Sequence, residues 1–85
     1  MKTFKDLEFF PSHGDGVYAK MMFENGLGAS IVRSSFSYGG KNGLYEIAVL
    51  DTDGDLTYNT DVTDDVIGHL TPEQVTEIME QIQAL

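Results

Sequence analysis

The chain has 85 residues, with 14 acidic and 5 basic side chains, a net charge of −9 and no cysteine. The lack of cysteine excludes a disulfide-stapled miniprotein, a thiolate zinc site and a cysteine nucleophile. No run of roughly 20 apolar residues could span a membrane, and charged residues interrupt the N-terminus where a secretory signal needs an apolar core. We therefore expect one small intracellular domain over residues 1–85, without a cofactor and too small for a deep catalytic cleft.

The N-terminal half predicts one clear β-hairpin. Residues 1–16 are read as irregular, with a short strand or turn over Leu7–Phe10 and a Gly- and Pro-rich loop after it. Apolar residues recur with a period of two from Val17 to Phe23 and again from Leu27 to Arg33. The intervening Asn25-Gly26 step readily takes positive φ at both central turn positions, so it favours a tight turn whose twist matches the two strands.

Residues 34–43 predict a long Gly- and Ser-rich connection that contains two aromatic side chains, Phe36 and Tyr38. An aromatic ring in such a loop can serve as a partner-binding anchor, because it adds contact area at low entropic cost. The same rings could instead fold back as a lid over the core. Both interpretations are open from the sequence.

Residues 44–60 predict a second hairpin. Tyr45, Ile47 and Val49 share one face of its first strand, and the return strand begins at Leu56 and Tyr58. The turn Asp51–Asp55 resembles the start of a calcium-binding loop. Its sixth and twelfth positions, however, hold Leu56 and Val62 where an EF-hand has Gly and Glu. We expect a structural turn with Gly54 at positive φ, and weak calcium binding stays open.

The last quarter of the chain predicts a helical turn and a longer helix. Thr63 would cap a single turn that Gly68 ends. Residues 71–85 form a helix with Thr71 as N-cap, Pro72 at the first position and Gln74 completing a capping box. Its apolar stripe predicts packing on the sheet, with a dimerisation face as the alternative; it contains Val75, Ile78, Met79, Ile82 and Leu85.

These elements predict an α+β fold. Two hairpins form an antiparallel sheet of about four strands, and the C-terminal amphipathic helix packs on one face of it. The connections are too short for a parallel crossover.

The negative charge is concentrated in the second half of the chain, where residues 44–85 contain ten acidic residues and no basic one. Such a surface should repel nucleic acid and acidic membranes and attract a basic protein surface. The acidic residues predicted to bind a partner are Asp51, Asp53, Asp55, Asp61, Asp64, Asp65, Glu73, Glu77 and Glu80.

No motif for catalysis or metal binding stands out in the sequence. His13 and His69 lack neighbouring ligands at helical spacing and are assigned structural or surface roles. The serines have no nucleophile-elbow context, and the glycine pairs lack the helix that a phosphate-binding loop requires. We expect a protein that is not an enzyme.

Three segments resemble a known group of proteins when they are taken together: residues 23–30 (FENGLGAS), 43–50 (GLYEIAVL) and 64–70 (DDVIGHL). As a set they resemble small acidic proteins encoded by tailed bacteriophages and prophages, from about residue 3 to the C-terminus. The resemblance implies the host-cell cytoplasm and a target among host proteins. It transfers no binding residue.

The sequence thus favours a non-enzymatic protein that inhibits or modulates a host protein through an acidic surface that mimics the phosphate charge of DNA. The resemblance suggests a nucleic-acid-binding defence effector, such as a CRISPR or restriction nuclease, as the target. Two alternatives stay open: a phage assembly or accessory protein whose acidity serves only solubility, and a calcium-stabilised module.

Overall fold

Antiparallel strands in sequential order form the framework of the computed structural model, which describes residues 1–12, 14–57, 60, 62 and 66–85. The sheet is a meander in which every strand pairs with its chain neighbours. The elements are β1 (Phe10–Pro11), β2 (Val17–Met22), β3 (Gly28–Arg33), β4 (Tyr45–Leu50), β5 (Ile67–Leu70) and α1 (Pro72–Gln83). The helix α1 packs against β3, β4 and β5. The predicted α+β class is confirmed, with five strands where about four were expected.

The first hairpin forms at the predicted position. β2 and β3 pair from Val17 with Arg33 to Met22 with Gly28. The turn between them has positive φ at Gly26 (89°) but not at Asn25, so the prediction of positive φ at both positions is wrong; Phe23 N donates to Leu27 O across a longer turn. The alternation also holds, because Ala19, Ala29 and Ile31 are fully buried on the side that faces α1. Ala29 and Ile31 belong to the apolar core together with Ile47 and Val49 of β4.

The second hairpin forms only in part. Its turn is present, with Gly54 at φ 81° and a 3.0 Å hydrogen bond from Gly54 N to Asp51 O. The expected return strand is reduced to one bridge between Leu50 and Leu56 and a hydrogen bond from Thr57 N to Val49 O. Tyr58, expected in that strand, lies outside the described residues. The prediction of a full return strand is wrong over Leu56–Thr57.

The actual outer partner of β4 is β5, where the sequence was read as the end of a helical turn. Gly68 lies inside this strand instead of ending a helix, and the proposed cap at Thr63 lies outside the described residues. Ile67 pairs with Ile47 and Leu70 with Tyr45, so β5 has one extra residue between the two pairs. This bulge places His69 at φ 59°, a conformation that bends the strand.

The opposite edge of the sheet is closed by the two-residue strand β1. Phe10 pairs with Tyr18 and Pro11 with Val17. Proline has no N–H to donate and is therefore tolerated at an edge strand, which limits further pairing there. The preceding 3-10 turn, Phe4–Asp6, places the ring of Phe4 5.1 Å from that of Tyr45.

The helix begins as predicted, with a reciprocal capping box. Gln74 N donates to Thr71 Oγ1 and Thr71 N donates to Gln74 Oε1 over 2.9 Å. Val75, Met79 and Ile82 of the predicted stripe are fully buried. Ile78 is only partly buried, and Leu85 is 47% exposed, so the stripe that contacts the sheet is narrower than predicted.

Candidate functional site

Two of the sites predicted to bind a partner, the Asp51–Asp55 turn and the loop aromatics Phe36 and Tyr38, lie at opposite ends of the sheet. Residues 51–55 follow the last residue of β4, whereas the connection that carries Phe36 and Tyr38 precedes its first residue. Six strand residues separate the two groups, which corresponds to about 17–20 Å. They therefore form two distinct surfaces and not one interface.

The turn after β4 is built around the side chain of Asp51. Its Oδ1 accepts hydrogen bonds from Asp53 N (2.9 Å) and Asp55 N (3.0 Å), and Asp51 N donates to Asp55 O over 2.7 Å. One predicted binding carboxylate is therefore structural. The side chains of Asp53 and Asp55 are exposed and make no hydrogen bond or ion pair with another described residue, so they carry the charge of this turn outward.

The sheet brings a further acidic residue, Glu24, to the same end. Because β3 is antiparallel to both β2 and β4, the turn after β2 and the turn after β4 lie at the same end of the sheet. The two turns are in contact: a Cβ atom on Gly26 would lie 3.1 Å from Thr52 Cγ2. Glu24 was not among the residues predicted to bind a partner, because its proximity to the Asp51–Asp55 turn depends on the order of the strands.

The C-terminal end of α1 completes this arrangement. Asn25 Nδ2 donates to the carbonyl oxygen of Ile82 over 2.9 Å, and Leu27 N donates to Asn25 Oδ1 over 3.1 Å. Asn25 thus ties the first hairpin turn to the last turn of the helix, in which Glu80 is exposed. We call this region the acidic end and define it by Glu24, Asp51, Asp53, Asp55 and Glu80.

The remaining predicted acidic residues are distributed differently. Glu73 and Glu77 are exposed on α1, but Glu73 lies in the first helical turn, towards the end of the sheet that carries the aromatic loop. The rise of an α-helix places Glu77 about 6 Å along the axis from Glu73 and Glu80 about 4.5 Å further. The row therefore leads towards the acidic end. Asp61, Asp64 and Asp65 lie outside the described residues.

The connection between β3 and β4 holds its aromatic residues outward. We call residues 34–43 the aromatic loop. Phe36 is 94% exposed and Tyr38 65% exposed, so the interpretation of these rings as a lid over the core is wrong. Leaving a Phe side chain in water forgoes roughly 1.5–3 kcal/mol of burial free energy.

Hydrogen bonds fix the first residues of the aromatic loop, which directly follow β3. Phe36 N donates to Ser34 Oγ (3.2 Å), Ser34 N to Ser37 Oγ (2.9 Å) and Ser37 N to Ser34 O (3.1 Å). The middle of the loop contacts β5, where His69 N donates to Tyr38 O. The loop therefore presents Phe36 in a preorganised position.

Metal-ligand groups and membrane-spanning helices are both lacking in the part of the chain that the structure describes. Among the described residues, no three His, Asp or Glu side chains are grouped so as to hold a metal ion. In the same part of the chain, no helix has the length and apolar character needed to cross a bilayer.

Comparison with protein-family models, with curated proteins and with solved structures finds no match for this chain. The resemblance to phage proteins therefore stays a prediction.

Proposed function

We propose that this chain is a non-enzymatic binding protein that engages a basic surface of a protein partner through its acidic end. The observation that carries this proposal is the meeting of two turns and a helix terminus, the three elements that carry the exposed side chains of Glu24, Asp53, Asp55 and Glu80. No basic residue occurs from position 44 onward to neutralise them.

The charge of the acidic end favours a partner that otherwise binds nucleic acid. Lys and Arg side chains that bind a phosphate backbone respond to the number and spacing of negative charges. Glu77 and Glu80 continue a row of negative charge along the helix towards the two turns. Successive phosphates form a similar row along a nucleic-acid strand. With the phage resemblance, the proposed target is a host defence protein in the cytoplasm, such as a CRISPR or restriction nuclease.

Neutralising two carboxylates of the acidic end should weaken partner binding without disturbing the fold. The test variant is Asp53→Asn with Asp55→Asn, because these side chains make no hydrogen bond whereas Asp51 supports the turn. The matched control is Asp15→Asn with Glu73→Gln. Asp15 lies just before Val17, which pairs with the last residue of β3, so both changes are at the end of the sheet that carries the aromatic loop, and the change in net charge is the same. We expect affinity to fall by roughly two- to thirtyfold in the test variant only, since each of the two lost charge pairs contributes about 0.2–1 kcal/mol.

The measurement is affinity capture from a bacterial lysate with the parent and both variants, followed by quantitative mass spectrometry. Proteins retained by the parent and the control but lost by the test variant should be nucleic-acid-binding proteins, released by raised salt and by competing duplex DNA. If both variants lose the same proteins equally, or if capture is insensitive to salt, the acidic end is not the binding surface. Its charge would then serve solubility.

A further inference from the structure

We propose that Asn42 is a site of spontaneous deamidation, and that hydrogen bonds to helix α1 protect Asn25 from the same reaction. Both asparagines precede a glycine, and the sequence contains no other Asn-Gly step. Both are also exposed, so exposure does not distinguish them. This modification goes beyond the proposed function and does not depend on it.

An Asn-Gly step deamidates without an enzyme when the glycine nitrogen attacks the asparagine side chain. In this chain a bond would form between Gly43 N and Asn42 Cγ, and the bond between Cγ and Nδ2 would break. Nδ2 leaves as ammonia and takes the amide proton of Gly43 with it. Water then opens the cyclic imide and gives aspartate or isoaspartate. Glycine favours the attack because it has no Cβ atom and its backbone is conformationally permissive.

The backbone is held alike at the two Asn-Gly steps. Gly26 N donates to Phe23 O over 3.0 Å, and Gly43 N donates to Gly40 O over the same distance. Both glycines have positive φ, 89° at Gly26 and 76° at Gly43. In each turn the attacking nitrogen must therefore give up one equivalent hydrogen bond, and this requirement favours neither step.

The side chains of the two asparagines are held differently. Asn25 Nδ2 donates to Ile82 O over 2.9 Å, and Asn25 Oδ1 accepts from Leu27 N over 3.1 Å. The Asn25 carboxamide must therefore release the last turn of α1 before it can turn towards Gly26 N. No hydrogen bond joins the Asn42 carboxamide to a described residue, so it can turn towards Gly43 N without such a loss.

The surroundings of the two turns add to this difference. A Cβ atom on Gly26 would lie 3.1 Å from Thr52 Cγ2, whereas one on Gly43 would have no described atom within 4 Å. The first turn is thus packed against the Asp51–Asp55 turn, which limits the backbone rotation that ring closure needs. The second turn has room for that rotation.

Deamidation at Asn42 would change the aromatic loop and leave the acidic end intact. It converts a neutral amide into a carboxylate, and isoaspartate also lengthens the backbone inside the turn that Leu44 N closes by donating to Gly39 O. The same reaction at Asn25 would place a carboxylate against Ile82 O, at the negative end of the helix dipole. It would therefore loosen the helix terminus from the first hairpin.

The measurement is a time course of deamidation of the purified chain at mildly alkaline pH, with peptide mapping by mass spectrometry. Parallel samples are kept in buffer and in denaturing urea. At each asparagine the rate in buffer is divided by the rate in urea, which removes the effect of neighbouring sequence. We expect this ratio to be at least about fivefold higher at Asn42 than at Asn25, because two short hydrogen bonds must break at Asn25.

Two variants separate the two sites. Asn42→Gln should abolish the reaction at position 42, because the longer side chain closes the ring far more slowly, and should leave the rate at Asn25 unchanged. Ile82→Ala weakens the last helical turn, so it should raise the rate at Asn25 in buffer. Equal ratios at the two asparagines, or a chain in buffer that is modified at neither while urea allows both, would overturn the proposal.

Discussion

Ile82→Ala should lower the free energy of unfolding by about 2–4 kcal/mol. Ile82 is fully buried in the last turn of α1 and belongs to the core formed with β3 and β4. The substitution removes apolar contact and leaves a cavity that surrounding strands cannot close. For a domain of this size, the loss is a large fraction of the total stability.

Urea denaturation followed by circular dichroism measures this effect, with Ile78→Ala as the matched control. Ile78 lies on the same helix but is only partly buried, so the same truncation there should cost about 1 kcal/mol. Equal losses at both positions would contradict the placement of the core on the Val75, Met79 and Ile82 side of the helix.

Gly40→Ala should disrupt the aromatic loop. A Cβ atom at this position would overlap the carbonyl oxygen of Ser34 and lie close to Ser37 Oγ, the two groups that hold the turn carrying Phe36. Because the overlapping atom belongs to the backbone, no side-chain rotation can relieve the overlap. We expect either a fall of about 3 kcal/mol in the free energy of unfolding or detachment of the loop from the rest of the fold with the sheet intact.

Hydrogen exchange of the loop amides, with thermal unfolding, distinguishes these two results. The control is Gly43→Ala, because Gly43 has φ 76° but nothing near its Cβ position. We therefore expect Gly43→Ala to lower the free energy of unfolding by roughly 1–2 kcal/mol, through backbone strain alone. If the loop amides are as well protected from exchange in Gly40→Ala as in the parent, the hydrogen bonds of Ser34 and Ser37 do not hold the loop.

Local signals predicted the elements that depend on local chemistry. The Asn25-Gly26 turn, the Asp51–Asp55 turn and the Thr71 capping box each require particular side chains within a few residues, and all three form. β5 was misread because Gly68 and the short run Ile67–Leu70 offer little local preference for a strand. Pairing with β4, a non-local contact, determines its conformation.

The candidate site was predictable only in composition. Most of the carboxylates and the two loop aromatics could be named from the sequence. That the Asp51–Asp55 turn and the loop aromatics lie at opposite ends of the sheet depends on the order of the strands. The structural role of Asp51 and the exposure of Phe36 likewise depend on hydrogen bonds that sequence patterns do not reveal. Glu24 was missed because it lies in the half of the chain without excess negative charge.

The most direct test of the acidic end as the cation-binding surface is an NMR titration of the ¹⁵N-labelled chain with a short oligoarginine peptide at low salt. The largest amide shift changes should fall on Glu24, residues 51–55 and Glu80, and they should diminish as salt is raised, because screening shortens the field. Shift changes that are largest at Asp15 and Glu73, or that spread evenly over all exposed carboxylates, would contradict a binding surface at the acidic end.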